Sequence, residues 1–128
     1  MKTDLFQHEV TKTSAVFGRK SDINVVFHGD MAATDGNTIY LPELTRDREI
    51  SADDQAIIRG YTDHEAGHVR HSDMPYLMRF NKRCVAEGNH LLKSVANALE
   101  DIWLESRVRA EYPGAEANIQ ATAAAVNR

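Results

Sequence analysis

A single α+β domain dominated by helices is predicted by three observations: the chain length, the Gly and Pro punctuation, and a change of hydrophobic period along the sequence. The 128 residues give one domain, 1–128, and are too few for two ordinary ones. Hydrophobic residues make up 42% and charged residues 27%, enough to bury a core and unlike a disordered tail. Apolar residues recur at helical spacing everywhere except one short region, where β-branched alternation and Asp35-Gly36 indicate strands.

The elements follow in order. Leu5, Phe6, Val10, Val16 and Phe17 lie at roughly helical spacing behind Asp4, an N-cap, and Gly18 ends that helix. Ile23, Val25 and Phe27 alternate with Asn24, Val26 and His28 as a strand closed by Gly29. From Met31 to Pro42 the Asp35-Gly36 pair sets a turn between two extended segments, a β-hairpin. Ser51 is a good N-cap and Asp53 and Asp54 put negative charge in the first turn, so a long helix starts there and runs to Ser72. Pro75 marks a break and restart. Gly88 precedes a second long helix with Leu92, Val95, Leu99, Ile102 and Ser106 near one face, ending at Tyr112-Pro113-Gly114. Residues 115–128 are alanine-rich and read as a C-terminal helix at the chain boundary. No internal repeat, linker or heptad array interrupts this order.

Composition narrows the function. Cys84 is the only cysteine, which excludes an intramolecular disulfide and a Cys-rich zinc module and fits a reducing, cytoplasmic setting. It reads as a small buried hydrophobe. Nineteen acids against fifteen bases give a net charge of −4 and a pI near 5.8, which disfavours a non-specific grip on nucleic acid or anionic membrane. No apolar run approaches the roughly 20 residues of a membrane span, and the first residues lack a signal-peptide core.

Chemistry concentrates in Tyr61-Thr-Asp-His-Glu-Ala-Gly-His-Val-Arg-His-Ser-Asp73, which contains His64-Glu65-x-x-His68. Residues four apart share a helix face, so the two imidazoles can converge on one tetrahedral Zn²⁺. Glu65 reaches the same side as a general base and acid for a metal-activated water. The stripe Ile57, Tyr61, His64, His68, His71 begins apolar and so points inward. Gly67 costs about 1 kcal/mol in a helix relative to alanine, which suggests a close approach by a neighbour.

A catalytic zinc takes a third protein ligand. His71 continues the same face but lies nearly a full turn past His68, so it fits better as an alternative or outer donor. With about 100° per residue and Leu99 at zero, Leu92, Val95, Ile102 and Trp103 fall within roughly 60° and define the buried face. Glu100 sits on the edge of that face and is the preferred third ligand. Asp101, nearly opposite, is left as a carboxylate that orients a ligating imidazole, or as an alternative ligand. Trp103 reads as core, Asp63 and Glu105 as surface charges, and His8, His28 and His90 as non-ligands.

Together, His64-Glu-Ala-Gly-His68, Asn97-x-x-Glu100-Asp101 and Ala33-Thr-Asp-Gly-x-x-Ile-x-Leu-Pro42 resemble the metallopeptidase-like region ahead of the von Willebrand factor A domain in cobaltochelatase T subunits and related proteins, phage-encoded versions included. The resemblance implies a zincin-like fold of the glutamate-ligand kind, with His64, His68 and Glu100 on zinc. It also implies an edge strand that binds an extended peptide, around Phe27 to Ala33 or Asn37 to Leu41. The Asp-x-Ser-x-Ser motif of an A domain is absent from these residues, and Trp103 and His71 stand where other residue types are expected in the family.

The resulting expectation is a cytoplasmic zinc-dependent peptidase acting on a peptide or protein substrate. Tyr61, His71, Tyr76 and Tyr112 are unranked candidates for stabilising the oxyanion. The alternative is a non-catalytic metal-binding adaptor or chelatase-type subunit that works with an AAA+ ATPase.

Overall fold

A computed structural model of the chain describes residues 1–18, 22–44 and 48–126. Their order is α1 (Thr3–Gly18), β1 (Asn24–Phe27), β2 (Ala33–Thr34), β3 (Thr38–Leu41), α2 (Ala52–His71), α3 (Met74–Ala86), α4 (His90–Glu111) and α5 (Ala115–Val126). This is a helix-dominated α+β arrangement with a small sheet, as the hydrophobic periods predict.

Helix α1 begins one residue before Asp4, which lies in the first turn instead of capping it. Thr3 anchors this end, its backbone N–H and its hydroxyl both donating to the Arg48 carbonyl at 3.1 and 2.9 Å. The buried face is Thr3, Phe6, Val10, Ser14 and Gly18. Leu5 and Val16, expected on it, face solvent.

The sheet order is β1-β3-β2, with β1 parallel and β2 antiparallel to β3. Asp35 makes the hairpin turn, its Oδ1 accepting from the N–H groups of Asn37 and Thr38 at 2.8 Å each. Gly36 there has φ +96°, which an L side chain rarely adopts. Because β3 is hydrogen-bonded on both sides, Asn37 to Leu41 is an interior strand and cannot add a peptide. Of the two expected edges, only the stretch between Phe27 and Ala33 remains. Ile39 and Leu41 project from one sheet face into a core with Phe6, Val10, Ile23, Ile58 and Ala66, while Val26 and Tyr40 lie exposed. The alternation along the strands thus sets which side the helices cover.

Helix α2 starts where the sequence places it. Ser51 Oγ accepts from the Asp54 N–H at 3.1 Å, and Ser72 caps the other end through its N–H to the His68 carbonyl. Asp73 caps α3, whose first turn holds Pro75, and Gly88, at φ +68°, turns the chain into α4. A second core of Leu104, Val108, Ala115 and Ile119 joins α4 and α5. Gly67 receives the expected close approach: a Cβ there would stand 2.6 Å from Val108 Cγ2 and 3.2 Å from Leu104 Cδ1. Gly60 is tighter still, with a Cβ meeting Thr122 Oγ1 at 1.8 Å and the Asn118 carbonyl oxygen at 2.2 Å. Helices α4 and α5 therefore reach α2 across its two glycines.

Helix α4 is rotated by about half a turn from the orientation its apolar stripe predicts. Leu104 and Val108, 0% and 2% exposed, pack toward α2, whereas Leu99 and Ile102 are 62% and 66% exposed. Leu92, Val95 and Trp103 are exposed as well, so Trp103 is not core. The α2 side is fixed by the fit of Leu104 and Val108 over Gly67, a contact that counting apolar residues along one helix does not register.

Candidate metal centre

Residues on α2 one turn apart and one residue on α4 converge. Among the described residues, His64, His68 and Asp101 form a group whose ligand atoms all lie within 4.8 Å of one another. Asp101 Oδ1 stands 3.3 Å from Nε2 of both His64 and His68. The rotation of α4 therefore exchanges the places expected for the two carboxylates. Asp101 faces the imidazoles, while Glu100 accepts a hydrogen bond from Ser72 Oγ at 2.6 Å.

The outer nitrogens are held too. His64 Nδ1 lies 3.1 Å from Glu105 Oε1, and His68 Nδ1 lies 2.9 Å from Ser72 Oγ. Ser72 gives its one proton to Glu100, so toward His68 its oxygen can only accept, and the Nδ1 carries the hydrogen. The carboxylate of Glu105 likewise only accepts, which puts a hydrogen on His64 Nδ1. With both Nδ1 hydrogens engaged outward, an ion that displaced the hydrogen on Nε2 would meet both Nε2 atoms beside Asp101. This is the donor set and outer support that a transition metal takes.

Charge is concentrated at this point. Burial works to lower the His64 pKa, but the hydrogen bonds to Asp101 and Glu105 and the field of Glu65 outweigh it, and the group is pushed up to about 10. Burial acts to raise Asp101, yet its hydrogen bonds to His64 and His68 hold its carboxyl well below the usual range. Glu65, 7% exposed, is raised by burial against the opposing pull of the two histidines. A half-buried imidazolium held between carboxylates marks a place where a cation is favoured.

The model of the family described as cobalamin biosynthesis protein CobT matches residues 1–127. The chain belongs to the CobT family. No curated protein and no solved structure matches it. The CobT match covers both histidines, Glu65, Glu100 and Asp101, so the whole cluster lies within the family region.

A cleft of about 600 Å³ opens beside the cluster in this CobT-family chain, lined by Asp30, Met31 and Ala32 on one side, His64, Glu65 and Asp101 on its floor, and Ile119 and Thr122 of α5 on another. Tyr61 lines the cleft as well. The other oxyanion candidates point elsewhere. Tyr112 stacks on Phe17 with ring centroids 4.1 Å apart, Tyr76 is exposed on α3, and His71 Nε2 pairs with Glu111 at 2.7 Å. His71 is therefore outside the cluster, as are His8, His28 and His90. Cys84 is buried and unpaired, as expected.

Three residues were misplaced or missed by sequence reasoning. Glu105 supports His64 instead of standing on the surface, and its position four residues after Asp101 was a signal for a shared face. Ser72, read only as the helix end, links His68 to Glu100. Asp63, expected at the surface, is 3% exposed and accepts from Asn118 Nδ2 at 3.4 Å. Burial raises its pKa to about 6, against the lowering effects of Asn118 and Arg59.

A carboxylate whose pKa rises on folding costs stability above the folded value, and the cost disappears as pH falls below the unfolded value. Asp63→Asn keeps an acceptor for Asn118 and is expected to stabilise the chain by on the order of 2 kcal/mol at pH 8, with little gain near pH 4. Urea unfolding at the two pH values checks this. A destabilised variant at pH 8 would contradict it.

Proposed function

We propose that this chain is a chelatase-type, metal-binding subunit that holds a divalent transition metal between His64 Nε2, His68 Nε2 and Asp101 and works in an assembly with an AAA+ ATPase. The observation that carries the proposal is the convergence of those donors within 4.8 Å, with both outer nitrogens already engaged. Two imidazoles and one carboxylate suit zinc, cobalt or a neighbouring first-row ion. Three protein ligands leave coordination positions open, which suits a metal that is presented or used more than one that only staples a fold. When bound, the ion supplies Lewis acidity at the floor of the cleft.

The chain's own residues do the rest. Glu105 and the Ser72–Glu100 pair fix the rings, and α5 with Asp30 to Ala32 walls the site. Among the described residues no helix is long and apolar enough to cross a membrane, and the reading carries a cytoplasmic location with it. Equilibrium dialysis of the untagged chain against Zn²⁺ and Co²⁺ is expected to give one ion per chain. Failure to take up either ion would overturn the proposal.

A second reading, a zincin-type zinc peptidase, rests on Glu65. A site that only holds metal has no use for a buried carboxyl at its floor. Here Glu65, with its pKa raised by burial, lines the same cleft as His64 and is placed to hold a proton during attack on a peptide carbonyl. A peptide would lie along Asp30 to Ala32. Glu65→Gln is then expected to abolish peptide turnover with metal content unchanged. Absence of turnover by the metal-loaded parent on a peptide library removes this second reading and leaves the first intact.

A further inference from the structure

The cleft beside the metal cluster carries charge of one sign. Asp30, Glu65, Asp101 and Glu105 line it together with His64, and among the described residues its lining holds no lysine or arginine. A divalent ion on His64, His68 and Asp101 would balance two of these carboxylates and leave two. Asp101 is then occupied as a ligand and Glu105 by His64 Nδ1, 3.1 Å away, so Asp30 and Glu65 are the ones left to meet a ligand. Glu65 is 7% exposed, lines the cleft, and has no hydrogen bond or ion pair to another described residue. Buried polar groups are nearly always paired, so an unpaired carboxyl on the floor of a cleft points to a partner that arrives with a ligand. Asp30 is exposed on the wall and likewise has no ion pair among the described residues.

The wall that carries Asp30 limits the shape of that ligand. Asp30, Met31 and Ala32 run into β2, which among the described residues pairs with β3 alone. Their own main-chain groups make no backbone hydrogen bond there, so an extended segment can add its main chain along this stretch. The surroundings are apolar: Met31, 75% exposed, and Ile119 and Ala123 of α5. Methionine adapts to varied apolar contacts. Successive side chains of an extended segment face opposite ways, so one of them can meet Asp30 while its neighbours lie against the apolar walls. An acidic segment would set like charges against Asp30 and Glu65, and such contacts exclude wrong partners.

We propose that the cleft receives an extended, basic protein segment, whose lysine or arginine pairs with Asp30 beside the metal site, so that Asp30 selects the charge of the partner. The proposal rests on the metal-site reading above for what occupies Asp101. Two labelled octapeptides test it by fluorescence anisotropy with the full chain after incubation with Zn²⁺, one alternating alanine with lysine and the other alanine with glutamate, and bound zinc is read on each sample. The lysine peptide is expected to bind about tenfold or more tightly than the glutamate peptide, and Asp30→Lys to weaken it on the order of tenfold and narrow the preference. A zinc-loaded chain that binds neither peptide, or prefers the glutamate one, would overturn the proposal and leave the metal site standing. Lysine-peptide binding that Asp30→Lys leaves unchanged would overturn it as well. A chain that takes up no zinc but still binds the lysine peptide through Asp30 would remove the metal site and keep the basic segment. Spermine that displaces the peptide at equal concentration would show that charge alone is recognised and overturn the extended segment.

Discussion

Asp101→Ala is expected to abolish one-to-one metal uptake, whereas Glu100→Ala should weaken it and leave the stoichiometry intact. Asp101 Oδ1 stands 3.3 Å from each Nε2. Glu100 reaches the site only through the Ser72 hydroxyl, at 2.6 Å. Loss of an outer partner typically costs about 10–100-fold in metal affinity, so Glu100→Ala should fall in that range and Asp101→Ala beyond it. Dialysis followed by metal analysis, with competition against a chelator for the constants, separates the two. If Glu100→Ala were the variant that lost its metal, the assignment of the carboxylates would have to be reversed. Glu105→Gln serves as an internal comparison, because Glu105 bears on His64 from the far side, at 3.1 Å, and should behave like Glu100→Ala.

Gly60→Ala should be the most destabilising small substitution in the chain. Alanine in an ordinary helix interior gains about 1 kcal/mol over glycine, so the sign of the effect is itself diagnostic. Here the new Cβ would lie 2.2 Å from the Asn118 carbonyl oxygen and 2.9 Å from its carbon, backbone atoms that cannot rotate aside. It would also lie 1.8 Å from Thr122 Oγ1, whose one hydroxyl hydrogen is shared between the Ile57 and Asn118 carbonyl oxygens, 3.0 Å away each. Helix α5 would have to move off α2, loosening the core at Ile119 and one wall of the cleft. A loss on the order of 3 kcal/mol, or roughly 12 °C in melting temperature for a domain of this size, is expected. Gly67→Ala should cost less, since the nearest atoms are side-chain methyls of Val108 and Leu104. A Gly60→Ala variant as stable as the parent would mean that α5 does not pack as described.

Local signals carried most of the fold. Ser51, Asp35-Gly36, Pro75 and Gly88 each act over a few residues through a hydrogen bond or a fixed dihedral angle, and each sits where its chemistry requires. His64 and His68 were legible for the same reason, because one helical turn sets their spacing. What a single sequence does not encode locally is which side of a helix meets its neighbour. Leu92, Val95, Leu99 and Ile102 make the most apolar stripe on α4, and burying it placed Glu100 inward and Asp101 outward. The packing of Leu104 and Val108 over Gly67 decides otherwise. One inverted face accounts for the exchanged carboxylates, the exposed Trp103 and the unrecognised role of Glu105. Asp63 and Ser72 were missed for a related reason: their partners, Asn118 and Glu100, lie 55 and 28 residues away along the chain.

Ser72 serves two purposes that are usually separate. Its backbone N–H closes the last turn of α2 on the His68 carbonyl at 3.0 Å, and its hydroxyl bridges His68 Nδ1 and Glu100. Helix ends fray more readily than helix centres. An opening of this terminus would release the His68 ring from Glu100 in the same motion, so the closure of the helix end and the support of the ring stand or fall together. An ion seated on His68 Nε2 would in return damp that breathing, and occupancy would register in the chain as a change in motion at the α2–α3 junction before any change in its average shape.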